Sequence, residues 1–168
     1  MKTKYPIIRF VQSIDHNSEI PVKIADGIRK TVEDFYDRYK NLDETVASQK
    51  SDSEKWSRKE ILGHLLDSAS NNQQRFVRAQ YEQTINFLSY AQQDWVSIQK
   101  YNSRSWKELL DFWKSYNLHL AHIIKNMPMD CLEVSGTMGS YGKVTIGYVV
   151  VDYLGHMQHH IRQIDRME

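Results

Sequence analysis

Thr145-Ile146-Gly147-Tyr148-Val149-Val150-Val151-Asp152-Tyr153-Leu154-Gly155-His156-Met157-Gln158-His159-His160-Ile161-Arg162-Gln163-Ile164 carries an unbroken helical pattern. Val149, Tyr153, His156, His160, Ile164 and Met167 recur at steps of four, three, four, four and three, so they share one stripe of a helix that Thr145 can cap. That stripe is the face that must pack, yet it holds two imidazoles one turn apart. Two desolvation-averse rings in such a place need polar partners. One metal ion bound by both would satisfy them together.

The same period runs upstream. Residues 1–20 read as irregular, and Ile24, Ile28, Val32, Phe35, Tyr36 and Tyr39 then mark a first helix. Ser48 to Lys55 is polar and reads as loop. Ser57-Arg58-Lys59-Glu60 is a capping box, so a second helix starts near Ser57, with Ile61, Leu65, Ala69 and Phe76 as its stripe and His64 beside it. Residues 84–102 show no sustained period and read as a long, partly packed connection. Ser105-Trp106-Lys107-Glu108 is a second capping box. It opens a helix striped by Leu109, Trp113, Tyr116, Leu120, Ile123, Ile124 and Met127, and Pro128 stops it. From Met129 to Lys143 the glycines Gly136, Gly139 and Gly142 predict a loop with room for a short hairpin. Four long amphipathic helices predict an all-α four-helix bundle, with residues 1–168 as a single domain and long connections between helices two and three and between three and four.

Bulk properties narrow the function classes. Lys+Arg 22 against Asp+Glu 21 leaves a formal charge of +1, so no net field recruits nucleic acid or an anionic membrane. The lone Cys131 excludes an internal disulfide and a cysteine-rich zinc module. The basic N-terminal stretch has too short an apolar run for a signal peptide, and no segment approaches the ~20 apolar residues of a membrane span. A cytoplasmic location is the expectation.

His64 could add a third nitrogen to the His156/His160 pair. Three neutral imidazoles with an open coordination position suit a catalytic metal better than a structural zinc, which more often has four ligands. Spacing alone leaves a rival open: seven histidines produce such pairs by chance, and a helical His is often hydrogen-bonded core or solvated surface. His159 offers an alternative pairing with His156 but points off the His156/His160 face. His119 and His122 flank their stripe and read as partly exposed, while His16 carries no signal. Asp67, one turn after His64, could serve as a base toward bound water or support a ligand, or be an ordinary surface Asp. Asn71, Asn72 and Gln73 could line a polar cavity or face solvent, and Gln163 could orient His160. The reactivity of Cys131 is not legible.

These residues resemble a known family. Tyr5-Pro6-Ile7, Lys55-Trp56-Ser57-Arg58-Lys59-Glu60-Ile61-Leu62-Gly63-His64-Leu65-Leu66-Asp67-Ser68 and Tyr153-Leu154-Gly155-His156-Met157-Gln158-His159-His160-Ile161 are similar to the DinB/YfiT-like superfamily, most closely to its YfiT branch of metal-dependent hydrolases. W-S-x-x-E-x-x-x-H-L-x-D followed about 90 residues later by H-x-x-H-H-I is the combination that carries the likeness. The resemblance implies an up-down-down-up four-helix bundle, often dimeric, that binds nickel or zinc through His64, His156 and His160. Relatives in the superfamily include S-transferases that use bacillithiol, mycothiol or glutathione, and a thiol-dependent isomerase. Gln158 and Gln163 stand where a family member carries His.

The expectation is therefore a metal-dependent hydrolase or thiol S-transferase. A divalent zinc or nickel ion on His64, His156 and His160 would activate water or a low-molecular-weight thiol, with Asp67 as catalytic base and Asn72 near the far end of the thiol. The rival is a non-catalytic metal-binding or stress-response helical module. A homodimer is expected as well, from the resemblance and from the aromatic surface of Trp95, Tyr101 and Trp106.

Overall fold

The computed structural model describes residues 19–87, 89–138 and 142–167. Of the irregular segment expected over 1–20, residues 1–18, with His16 and Tyr5-Pro6-Ile7, lie outside them, and Ile20 is already helical. Helix α1 spans Ile20–Tyr39, α2 Glu44–Ser48 and α3 Arg58–Arg78. Strand β1 follows at Thr84–Phe87, then α4 at Gln92–Gln99 and α5 at Trp106–Lys125. Strands β2 (Ser135–Met138) and β3 (Lys143–Thr145) precede α6, Ile146–Asp165.

Each long helix starts where its capping chemistry allows. Ser57 accepts the Glu60 amide while the Glu60 carboxylate accepts the Ser57 amide, a complete capping box. Ser105 accepts the amide of Glu108, and Thr145 that of Tyr148. α1 begins at Ile20, one residue before Pro21, a residue suited to a first helical turn where its missing N–H costs nothing. The predicted stripes are the core: Ile28, Val32, Phe35, Ile61, Ala69, Phe76, Leu109, Trp113, Leu120, Ile124 and Ile164 are fully buried.

Contacts between the helices fix their directions. Phe35 meets Trp113 and Tyr39 meets Trp106, so α1 and α5 are antiparallel. Ser57 bonds Asn102 just before α5 while Gln73 bonds Tyr116, so α3 and α5 run parallel. Phe76 packs on Tyr153 whereas His64 faces His156 and His160, which makes α3 and α6 antiparallel. Gln158 reaches Thr31 and Asp165 accepts from Tyr39, so α6 runs with α1. The order is up-down-down-up.

Parallel neighbours cannot be joined by a tight turn, which explains the long segment between α3 and α5. The sequence pattern predicts a long, partly packed connection over 84–102, with no regular element in it. It instead holds β1, α4 and a 3-10 turn at Tyr101–Ser103. Because α3 and α5 end on the same side, β1 and β2 leave them in the same direction and pair in parallel, with β3 closing an antiparallel hairpin on β2. This small sheet is the departure from a purely helical chain. Glu44 of α2 ties the entry side together by accepting from Lys59 of α3 and from the Trp106 amide of α5. Two of the three aromatics expected at the surface are core: Tyr101 is 5 % and Trp106 1 % exposed, and the Trp106 indole donates to Tyr39 O. None of the described helices is long and apolar enough to cross a membrane.

Candidate metal centre

The capping box sets the start of α3 and places His64 two turns in, on the side facing α6. His64 is buried, at 1 % exposure, and His156 and His160 are half-buried opposite it. Its Nε2 lies 3.3 Å from His156 Nε2. The His160 ring sits 4.7 Å from that of His64 and 4.6 Å from that of His156. One nitrogen from each ring falls within 4.8 Å of the other two. Ligands 2.0–2.1 Å from a tetrahedral cation stand about 3.3 Å apart, which is the separation of the His64 and His156 nitrogens. Three imidazoles without thiolate or carboxylate form a donor set suited to zinc, nickel, copper or iron. The residues fit a divalent transition metal.

The protonation states agree with that chemistry. Burial, helped by the neighbouring His160, pushes His64 down to about 4, so it is neutral and a competent ligand near pH 7. His160 Nδ1 lies 3.0 Å from Gln163 Oε1. An amide oxygen only accepts, so Nδ1 carries the hydrogen and Nε2 keeps its lone pair for the cluster. Gln163 thus orients His160. The Trp56 ring packs 5.1 Å from that of His64.

Asp67 is buried one turn beyond His64, at 3 % exposure. Its Oδ1 accepts from Tyr101 Oη at 2.6 Å and from Gln99 Nε2 at 2.7 Å, while Oδ2 is buried with no hydrogen-bond partner. Burial pushes its carboxyl above the usual range, against the pull of those two bonds. Further polar groups continue along the seam between α3 and α6. Asn72 is buried, donates to Ser68 O and accepts from Arg75, and Asp152 lies one turn before His156. Burial lowers the Arg75 guanidinium and raises the Asp152 carboxyl, each partly offset by the other. Asn71 instead donates to Asp67 O, and Gln73 accepts from Tyr116.

Outside the cluster, His159 is exposed with its ring edge-on to His160, and His119 and His122 are exposed on α5. Cys131 is buried, and burial raises its thiol. Gln99, Tyr101, Arg75 and Asp152 are polar residues of the site that the sequence pattern did not single out.

Residues 28–164 match the family model of the DinB superfamily. The fold is similar to that of YfiT from Bacillus subtilis, described as a probable metal-dependent hydrolase with an unusual four-helix bundle topology. The TM-score is 0.77 at 14 % identity, over 86 % of this chain and 83 % of that one. No curated protein matches this chain.

Proposed function

The chain belongs to the DinB superfamily, and on that footing we propose that it is a metal-dependent enzyme acting on a small molecule, with His64, His156 and His160 as ligands of one zinc or nickel ion. The observation that carries this reading is the convergence of three histidine nitrogens within 4.8 Å from two facing helices. When bound, such an ion supplies Lewis acidity that makes water or a thiol nucleophilic near neutral pH. The chain's own residues do the rest. His64 stays neutral, Gln163 holds the His160 tautomer, Trp56 packs against the His64 ring, and Asp67 takes the proton at Oδ2.

Hydrolysis is the first reading, because a buried carboxylate within a turn of His64 suits a base for water. Transfer of a low-molecular-weight thiol is the second, favoured by Asn72 and Arg75, which could hold the thiol's polar end. Elemental analysis of the purified, zinc- or nickel-supplemented protein tests the centre, and less than about a tenth of an equivalent refutes it. Turnover of chloro-dinitrobenzene with a panel of small thiols, beside a panel of hydrolysable esters and amides, separates the two reactions. No turnover with any of them would favour a non-catalytic metal-binding module. We also propose a cytoplasmic homodimer, resting on the superfamily resemblance and on the exposed Trp95, Ile98 and Tyr81. Light scattering at the mass of one chain, 19.9 kDa, would refute it.

A further inference from the structure

Between α4 and α5 the chain turns at Lys100, the one residue other than glycine with positive φ among the described residues (φ 51°, ψ 46°). A left-handed conformation is disfavoured for a residue with a Cβ, and such strain persists where surrounding contacts over-determine it. Here the contacts are the side chains on either side of the turn. Gln99 Nε2 and Tyr101 Oη both reach the same carboxylate oxygen, Asp67 Oδ1, at 2.7 and 2.6 Å. Gly63 makes the approach possible, since a Cβ there would stand 2.1 Å from the Tyr101 ring. Three local features, a missing side chain, a left-handed turn and a pair of converging donors, serve one carboxyl group.

Their result is lopsided. Oδ1 receives two strong hydrogen bonds while the buried Oδ2 receives none. An Asp that merely stitched the connection to α3 would gain more by dividing its donors between both oxygens, since a bare buried acceptor carries a desolvation cost. We propose that Gln99 and Tyr101 are positioning residues that clamp Oδ1 of Asp67, so that Oδ2 is the atom that exchanges a proton with substrate. This deepens the function proposed above and rests on its reading of Asp67 as the base. Hydrogen bonds to the charged form hold the carboxyl ionisable despite burial, and the fixed rotamer keeps the free oxygen in one position. The titratable groups around it are Tyr101 and Tyr90 of the connection and His64 one turn back on α3, with Arg75 and Asp152 beyond Tyr90.

Carbon-13 NMR of aspartate-labelled, zinc-loaded full-length protein tests the clamp, with the Asp67 carboxyl signal identified by its loss in Asp67→Asn. Tyr101→Phe should move the Asp67 midpoint upward by on the order of one pH unit, with zinc content and helical circular dichroism unchanged. Gln99→Met should move it in the same direction by less. Gln99 is exposed, so this variant keeps the test open if Tyr101→Phe does not fold. A folded variant whose Asp67 midpoint stays put or falls overturns the clamp, since loss of a donor to the carboxylate must raise it. A pH–rate profile of the zinc-loaded variant that does not follow the shifted midpoint overturns the role of Oδ2, because a bond that only stitches the connection moves the midpoint without moving the rate profile. Zinc content is read separately. A protein that binds no zinc refutes the metal centre, and the same titration on metal-free protein still decides the clamp.

Discussion

His159 and His160 are adjacent in the chain but differently placed: His160 turns into the cluster and is held by Gln163, whereas His159 is exposed. After equal zinc loading, His160→Ala should lose most of its metal and His159→Ala should keep it, as measured by inductively coupled plasma mass spectrometry. The opposite pattern would place the ligands on the wrong face of α6. His64 makes a second demand. Its folded value of about 4 lies below the ordinary 6.5, so between those values the unfolded chain binds the proton that the folded chain refuses. Stability is fully present above pH 6.5 and is lost as pH falls toward 4, by at most about 3 kcal/mol. Urea denaturation of chelator-treated protein from about pH 7.5 down to 4.5 should show this decline, and His64→Leu should flatten it. Parallel curves for the two proteins would mean that burial does not hold His64 neutral.

At the level of elements, the fit of the α4–α5 corner against α3 is the steric feature most open to test. Gly63→Ala adds a methyl where the Tyr101 ring already lies. Although alanine favours helix by about 1 kcal/mol, the clash should dominate and cost on the order of 2 kcal/mol net in urea titration. Lys100→Gly should do the reverse, gaining up to about 1 kcal/mol by relieving the left-handed residue. If Gly63→Ala were as stable as the parent, the ring would not sit on α3.

The same corner shows why the sequence was legible only in part. The four long helices each run for 20 or 21 residues, enough for the apolar period and the caps at Ser57, Ser105 and Thr145 to be read directly. The histidine cluster came with them, since two of its members are a helical step apart. α4 has eight residues and no side-chain cap, and β1 has four, so neither develops a period. The partners of Asp67 lie 32 and 34 residues away. Their approach depends on a left-handed lysine, a residue type that gives no signal of that conformation.

Taken across the bundle, the proposed centre is a cross-link. His64 on α3 and His156 on α6 lie 92 positions apart, so a cation held by both ties an early helix to the last one only when the chain is folded. Binding to the folded state alone stabilises it by RT ln(1 + [L]/Kd), about 4 kcal/mol when free metal is about a thousand times Kd. For a chain of this size each kcal/mol moves the melting temperature by roughly 2–4 °C. Chelation should therefore lower the melting temperature by on the order of 10 °C. The helical circular dichroism should persist below the transition, because the core of Phe35, Phe76, Trp113 and Leu120 does not depend on the metal. His64→Ala should melt at one temperature with or without chelator. A fully loaded parent protein whose melting temperature ignores the chelator would place its metal outside the folded bundle, and the three-histidine centre would fall with it.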